Sequence, residues 1–171
     1  MWKRFYPDER AETVRDVDYE AFRAKGVRGI IFDIDNTLVP QDAPATEETE
    51  AFFREIHAMG FRTCVISNNS EERVKPFAER TGSDYVFHAR KPLKRSYRKA
   101  MEYLGTDPGT TLFIGDQLLT DMFGARRLGI PCVLVKPVSL ASDIATVRFK
   151  RKIEKWILRE YEAQKKRLKT K

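Results

Sequence analysis

The sequence predicts an α/β fold: a three-layer sandwich in which helices flank a mainly parallel five-stranded sheet. Three observations carry this reading. Short β-branched apolar runs alternate with amphipathic stretches from residue 27 to residue 138, the pattern of repeated strand–helix units. The first run, "VRGIIFDI" (27–34), is apolar nearly throughout, as expected of a central strand covered on both faces. Each connection has room for a helix, which is how consecutive strands become parallel.

The elements follow in order. "TEETEAFFREIHAMG" (46–60) predicts a helix with Phe52, Ile56 and Met59 on one face, Thr46 as its N-cap and Gly60 as its stop. "FRTCVIS" (61–67) is the second strand. "SEERVKPFAERTG" (70–82) is a helix that Pro76 is expected to kink or delay. "DYVFHA" (84–89) is a short third strand, and Pro92 suits the first turn of the helix "LKRSYRKAMEYLG" (93–105). "TTLFIGD" (110–116), "LLTDMFGARRLG" (118–129) and "PCVLVKPV" (131–138) supply the fourth strand, fourth helix and fifth strand. Residues 1–142 thus form one domain. Residues 143–171 read as a basic amphipathic helix, either part of that domain or a surface-binding tail.

At 171 residues, 42% hydrophobic and 33% charged, the chain suits one soluble domain with a sizeable core. No apolar stretch approaches the roughly 18–20 residues needed to cross a bilayer. The start, "MWKRFYPDER", has no apolar run behind it, so a secretory signal is not expected. Cys64 and Cys132 lie far apart inside apolar runs and read as reduced core residues of a cytoplasmic protein. The net charge of +7 is localised. Residues 148–171 hold eleven Lys/Arg and three Asp/Glu, whereas the rest of the chain has 21 bases and 22 acids. The body is neutral and the tail carries the excess.

In a parallel sheet, the loops at the carboxyl ends of the strands gather at one edge, where ligands bind. Polar residues collect at that edge. Asp33 and Asp35 leave the first strand; Ser67, Asn68 and Asn69 end the second; Arg90, Lys91 and Pro92 follow the third. Asp116 tips the fourth, with Asp121 just beyond. Clustered carboxylates from two strands make a hard oxygen site suited to Mg²⁺, and a hydroxyl, a lysine and loop amides opposite it would hold phosphate oxygens. With that charge in place, Asp33 can stay ionised and attack phosphorus in line. Asp35 can protonate the leaving oxygen and then deprotonate water.

These motifs resemble those of the haloacid dehalogenase (HAD) superfamily of phosphatases. "DIDNTL" is similar to its first motif, "VISN" to its second, Lys91 to its third and "GDQLLTD" to its fourth. The resemblance spans roughly residues 27 to 135. It implies a Rossmann-like, HAD-like fold with Asp33 as nucleophile and Asp35 as acid/base. Ser67 and Lys91 would bind phosphate; Asn68, beside Ser67, reads from its position as a further phosphate contact or a cap of the next helix. Asp33, Asp116 and the Asp35 main-chain carbonyl would hold Mg²⁺, with Asp121 supporting the metal or the lysine; Thr37, by its place in the turn, reads as stabilising the acidic turn or orienting Asp35.

The spacing excludes a cap domain. Only 28 residues separate Leu38 from Ser67, and only 23 separate Ser67 from Lys91; each gap is used up by one helix and one strand. Within the capless group (subclass III) the chain resembles the mitochondrial-type phosphatidylglycerophosphate phosphatases and their bacterial relatives. The likeness rests on "FDIDNTLVP", "ISNN", "ARKP", "IGDQLLTD" and the lead-in "YPDERAETVRDVDYEAFRAKGV". It implies a phosphomonoester substrate, large or lipid, such as phosphatidylglycerophosphate. Two alternatives stay open: a nucleic-acid or ribosome-associated factor with this fold, and a phosphatase of a soluble nucleotide or sugar phosphate.

Other residues have bland readings. His57 and His88 lack a second ligand at metal spacing and read as structural or surface groups, Asn69 as a helix cap or a substrate contact, and Arg90 and Arg95 as solvated charge or headgroup contacts. In the tail, Phe149, Ile153, Trp156, Ile157 and Tyr161 fall at helical spacing among lysines and arginines. That helix packs on the sheet, lies peripherally on an anionic inner-membrane face together with Trp2, Lys3, Arg4, Phe5 and Tyr6, or binds nucleic acid.

Overall fold

The computed structural model describes residues 2–139 and 145–169, except the side chains of 145–151 and 167–169. Six strands form one sheet: β1 (Glu9–Ala11), β2 (Gly29–Asp33), β3 (Arg62–Ile66), β4 (Asp84–Val86), β5 (Thr111–Gly115) and β6 (Cys132–Val135). Their order is β1-β6-β5-β2-β3-β4, and every pairing is parallel. The expected count of five missed β1. Its three residues, "ERA", carry no alternating or apolar pattern; they become a strand only by pairing with β6 at the sheet edge. Asp8 leads it in, its carboxylate accepting from Cys132 N at 2.9 Å.

The helices are α1 (Tyr19–Ala24), α2 (Glu47–Ala58), α3 (Glu71–Thr81), α4 (Lys94–Leu104), α5 (Phe123–Arg126) and α6 (Ala145–Lys169). Strand residues alternate between two cores, as the pleat requires. Ile30, Phe32, Val65 and Ile114 face Phe52 and Phe53 of α2 and Phe77 of α3. Ile31, Cys64, Ile66 and Phe113 face Tyr97 and Leu104 of α4. This is the three-layer arrangement.

Local signals explain most boundaries. Thr46 caps α2 in a reciprocal box with Thr49, and Gly60 lies just past its end at φ +91°. Pro76 sits inside α3 without delaying it, because the helix starts at Glu71. Pro92 is not in the first turn of α4; it lies in the preceding turn, after a cis Lys91–Pro92 peptide. The fourth helix is not one helix. After β5 the chain makes a wide turn over Leu118–Met122, with Met122 N donating to Gln117 O at 3.1 Å, and only then the short α5. Wide turns of this kind are frequent at functional sites.

The intervals that would have to hold a cap contain α2 and β3 on one side, α3 and β4 on the other. No helix among the described residues is long and apolar enough to cross a membrane. The described part of α6 lies against the second core. Ile157 is fully buried and Tyr161 nearly so, whereas Trp156 is 48% exposed. Glu154, also buried, accepts from Leu119 N at 3.0 Å. The helix therefore touches the loop that carries Asp116 and Asp121. Trp2 meets Trp156 edge-on at 5.2 Å, so both chain ends share one patch.

Removing a buried Ile side chain costs about 2–5 kcal/mol, and an exposed one far less. Ile157→Ala is expected to lower unfolding free energy by roughly 2 kcal/mol, and Trp156→Ala by less than half of that. Chemical denaturation of both variants checks this; equal effects would mean that α6 does not dock through Ile157.

Candidate active site

Asp33 ends β2 and Asp116 follows β5, and these strands are neighbours at the centre of the sheet. The chain leaves β2 towards β3 and β4, then returns on the other side through β5. The crevice between β2 and β5 is thus a topological switch point. Asp121 joins from the wide turn, its carboxylate folded back over Gly115. A Cβ on Gly115 would lie 2.6 Å from Asp121 Oδ2, so only glycine fits. One carboxylate oxygen each from Asp33, Asp116 and Asp121 lie within 4.8 Å of one another, and all three residues are buried.

Lys91 enters this cluster. Its Nζ contacts Asp33 Oδ1 and lies 2.8 Å from Asp121 Oδ1, with the side chain 5% exposed. Thr37 Oγ1 is within bonding distance of Asp33 Oδ2 (3.2 Å) and Asp116 Oδ1 (3.3 Å). It braces these two acids and does not orient Asp35. Tyr97 closes the floor, donating to Thr120 O at 3.0 Å.

Burial pushes the Asp33 carboxyl well above the usual carboxylate range; Lys91 works against this, while Asp121 and Asp116 reinforce it. Burial acts to lower the Lys91 pKa, but Asp121 and Asp33 outweigh it and raise it, so the ammonium persists. Lys91 supplies one positive charge against three crowded carboxylates. Hard oxygen donors that repel one another around a common point suit a hard divalent cation such as Mg²⁺, which would lower the nucleophile's proton affinity.

Asp35 sits in a different environment. Its Oδ1 accepts from Asp42 N at 2.9 Å and from Arg73 Nη2 at 3.1 Å. Its Oδ2 accepts from Asn69 Nδ2 at 3.0 Å and from Ser67 Oγ at 3.4 Å. The Asp35 side chain is outside the three-carboxylate cluster, whose third member is Asp121.

The loops here are bent by necessity. The described non-glycine residues with positive φ are Asn36, Asp42, His88 and Arg90, all at this edge. Asn, Asp and His are the non-glycine residues that best tolerate that region; Arg rarely adopts it. His88 N donates to Asn69 O and Ala89 N to Ser67 O, knitting the loops after β3 and β4 together. Asn68 is exposed and accepts from Lys91 N at 2.8 Å. Its observed task is to hold the lysine's backbone.

The structure therefore gathers Asp33, Thr37, Lys91, Asp116 and Asp121 at one point, and Asp35, Ser67 and Asn69 beside them. Among the bland readings, His57 bonds Thr63 across the helix–sheet interface at 2.7 Å, and both cysteines are buried and free. Sequence reasoning passed over Arg73. In "SEERV" it reads as a surface cation, yet it sits in the first turn of the helix after β3. Helix side chains tilt towards the N-terminus, so that position reaches back to the sheet edge.

Comparison with known proteins agrees with this arrangement. The sequence profile of the haloacid dehalogenase-like hydrolases matches residues 41–129, which include Ser67, Lys91, Asp116 and Asp121 and start after the Asp33–Asp35 pair. The chain is 39% identical over 160 residues to the Bacillus subtilis protein described as "Probable phosphatase YqeG", covering 92% of each. The chain belongs to the haloacid dehalogenase-like hydrolases and is a phosphatase of that family. It is also 25% identical to the Arabidopsis thaliana phosphatidylglycerophosphate phosphatase 1, over 91% of this chain and 47% of that one. Among solved structures, a cobalt-bound deoxy-D-mannose-octulosonate 8-phosphate phosphatase from Haemophilus influenzae shares the fold. Its TM-score is 0.54 at 11% identity, over 65% of this chain and 69% of that one.

Because the folded-state pKa of Asp33 lies above its unfolded value, ionising Asp33 costs stability. The penalty is absent in acid and grows as pH rises through the folded value. Metal-free Asp33→Asn is therefore expected to melt at a higher temperature than the wild type at neutral pH, with a smaller advantage in acid. Mg²⁺ should stabilise the wild type more than the variant. Thermal melts in chelator and in Mg²⁺ check both; an Asp33→Asn protein that melts lower in chelator would contradict the electrostatics described.

Proposed function

We propose that this chain is a Mg²⁺-dependent phosphomonoesterase that works through an aspartyl phosphate on Asp33, with a phospholipid phosphomonoester such as phosphatidylglycerophosphate as its substrate. The observation that carries the reading is the convergence of Asp33, Asp116, Asp121 and Lys91 at one buried point of the switch-point crevice. Asp33 and Asp116, with the main-chain carbonyl of Asp35, would hold the metal, and Asp121 would support it or the lysine. Bound there, Mg²⁺ supplies charge for the crowded carboxylates and the transferring phosphoryl oxygens.

The residues divide the work. An Asp33 oxygen attacks phosphorus and the ester P–O bond breaks. Lys91 and the Ser67 hydroxyl hold phosphoryl oxygens, and Asn68 keeps Lys91 in register. Asp35 gives its proton to the departing alkoxide. Asp35 then takes a proton from the water that hydrolyses the aspartyl phosphate.

The lipid part rests on three supports. Two relatives named as phosphatidylglycerophosphate phosphatases align with 91% and 90% of this chain. Among the described residues no cap stands over the crevice, which leaves room for a large substrate. A groove of about 600 Å³ opens beside Thr37, with Leu38, Val39, Phe52 and Val138 among its walls and Arg15 and Lys136 adding charge. An acyl-glycerol leaving group fits such a lining. The exposed Trp156 beside Trp2, with Lys3 and Arg4 next to it, suits an anionic bilayer surface on the inner, cytoplasmic side.

Phosphate release from phosphatidylglycerophosphate in mixed micelles, from glycerol phosphate and from a nucleotide tests this directly. The expected result is preferential release from the lipid, abolished by Asp33→Asn and by chelator. Mg²⁺ should restore it better than Ca²⁺, whose looser coordination misplaces the nucleophile. A chelator-indifferent rate would remove the metal, and equal rates on soluble esters would remove the lipid. In sedimentation, anionic vesicles should retain the chain at low salt and release it at high salt; indifference to anionic vesicles would refute the surface contact.

A further inference from the structure

The Arg73 side chain bonds directly to a site carboxylate, its Nη2 lying 3.1 Å from Asp35 Oδ1. We infer that Arg73 is a positioning residue for the general acid/base Asp35, presenting that carboxyl to the oxygen of the leaving group. The inference rests on the phosphatase reading above.

The geometry is specific. Arg73 lies three residues after the N-cap position Ser70, so its side chain runs back along the first turn to the sheet edge. Its guanidinium carbon lies over the Phe77 ring, 5.7 Å from the ring centre. One nitrogen, Nη2, serves two acceptors: Asp35 Oδ1 at 3.1 Å and Ala43 O at 2.7 Å. The side chains of Arg73 and Asp35 are only 17% and 12% exposed, so water screens this pair little.

Arginine–carboxylate pairs are frequently bidentate. Here Nε is buried with no hydrogen-bond partner, and a single nitrogen holds Asp35. Asn69 Nδ2 and Asp42 N hold Asp35 from other directions. With Ser67 Oγ at 3.4 Å as well, donors on both oxygens set the direction in which the Asp35 carboxyl points. The Ala43 carbonyl matters too: through it, Arg73 ties α3 to the loop that leaves the Asp33–Asp35 segment. Motif residues on two separate elements are thereby kept in one orientation.

The consequence concerns one bond. When Asp33 attacks phosphorus, the P–O bond to the leaving group breaks, and its oxygen takes the proton carried by Asp35. An aryl oxygen departs as a stable anion and hardly needs that proton. An alkyl oxygen does need it. A well-placed general acid contributes about 10²–10⁴-fold, so misplacing it should show selectively on alkyl esters.

The test measures kcat/KM for p-nitrophenyl phosphate and for phosphatidylglycerophosphate in mixed micelles, with Mg²⁺, in the wild type, Arg73→Met, Arg73→Lys and Asn69→Ala. kcat/KM reports only the steps up to phosphorylation of Asp33, so the later hydrolysis does not blur it. Arg73→Met is expected to lose about 100-fold on the alkyl ester and less than about tenfold on the aryl ester. Arg73→Lys, which keeps the charge without the planar fork, should recover part of the alkyl-ester loss, and stands in should Arg73→Met fail to fold; Asn69→Ala should show the same selectivity more weakly. Equal loss on both esters by the folded variants, or no loss, overturns the role of Arg73 alone. A wild-type chain that cleaves neither ester overturns the phosphatase reading and this inference with it.

Discussion

Three carboxylates held within 4.8 Å of one another inside the protein set the terms for everything around them. At that separation, and with an effective dielectric constant of about 20, each ionised pair repels by roughly 3–4 kcal/mol. Lys91 offsets part of this, but it is itself buried and stays charged only because the acids are there. Neither side of the pair is stable without the other. The surrounding fold has to hold the acids together against their repulsion, and its features follow from that need.

The sheet supplies most of the restraint. β2 and β5 are paired in register, with Phe32 opposite Ile114, so the backbone bearing Asp33 and the backbone leading to Asp116 are fixed by the two cores. Glycine at 115 lets Asp121 fold back over the strand end, and Tyr97 anchors the wide turn from below. A Cβ on Gly124 would meet Tyr97 Oη at 2.1 Å, so the turn and the tyrosine are packed as one unit. α6 adds a further contact through Glu154 to Leu119 N. A helix that looks like a charged appendage in sequence therefore bears on the acid-carrying loop.

What could be read from the sequence, and what could not, follows from the range of the forces involved. Asp33, Asp116, Lys91 and Ser67 were legible because each follows a strand pattern, and parallel topology sends all such positions to one edge. The helix limits at Thr46 and Gly60 were legible because capping is local. β1 was not, since its strand character exists only through pairing with β6. The wide turn at Leu118–Met122 was not, because "LLTDMFGARRLG" satisfies a helical pattern throughout. Arg73 was hidden for another reason. Its neighbours Glu71 and Glu72 make it look like solvated charge, and only the three-dimensional course of the loop from Asp35 to Ala43 brings acceptors to it.

The two acids of "DID" show how environment separates residues that sequence makes alike. Asp33 is buried among other carboxylates with a single lysine, and burial first, then the neighbouring acids, resist its charge. Asp35 is surrounded by donors: a guanidinium, an amide side chain, a backbone N–H and a hydroxyl. Two carboxyls so differently placed are suited to different tasks, the general logic of paired acids in hydrolytic sites. The fold achieves the division within two residues by ending β2 at Asp33 and turning at Asn36, whose φ of +63° reverses the chain. Asp33 thus stays with the sheet and its crowd of acids, while Asp35 leaves with the loop and meets α3. A chain that continued extended through residue 36 would carry Thr37 away from Asp33 and Asp116, and would take from Asp35 and Arg73 the partners they find at Asp42 N and Ala43 O.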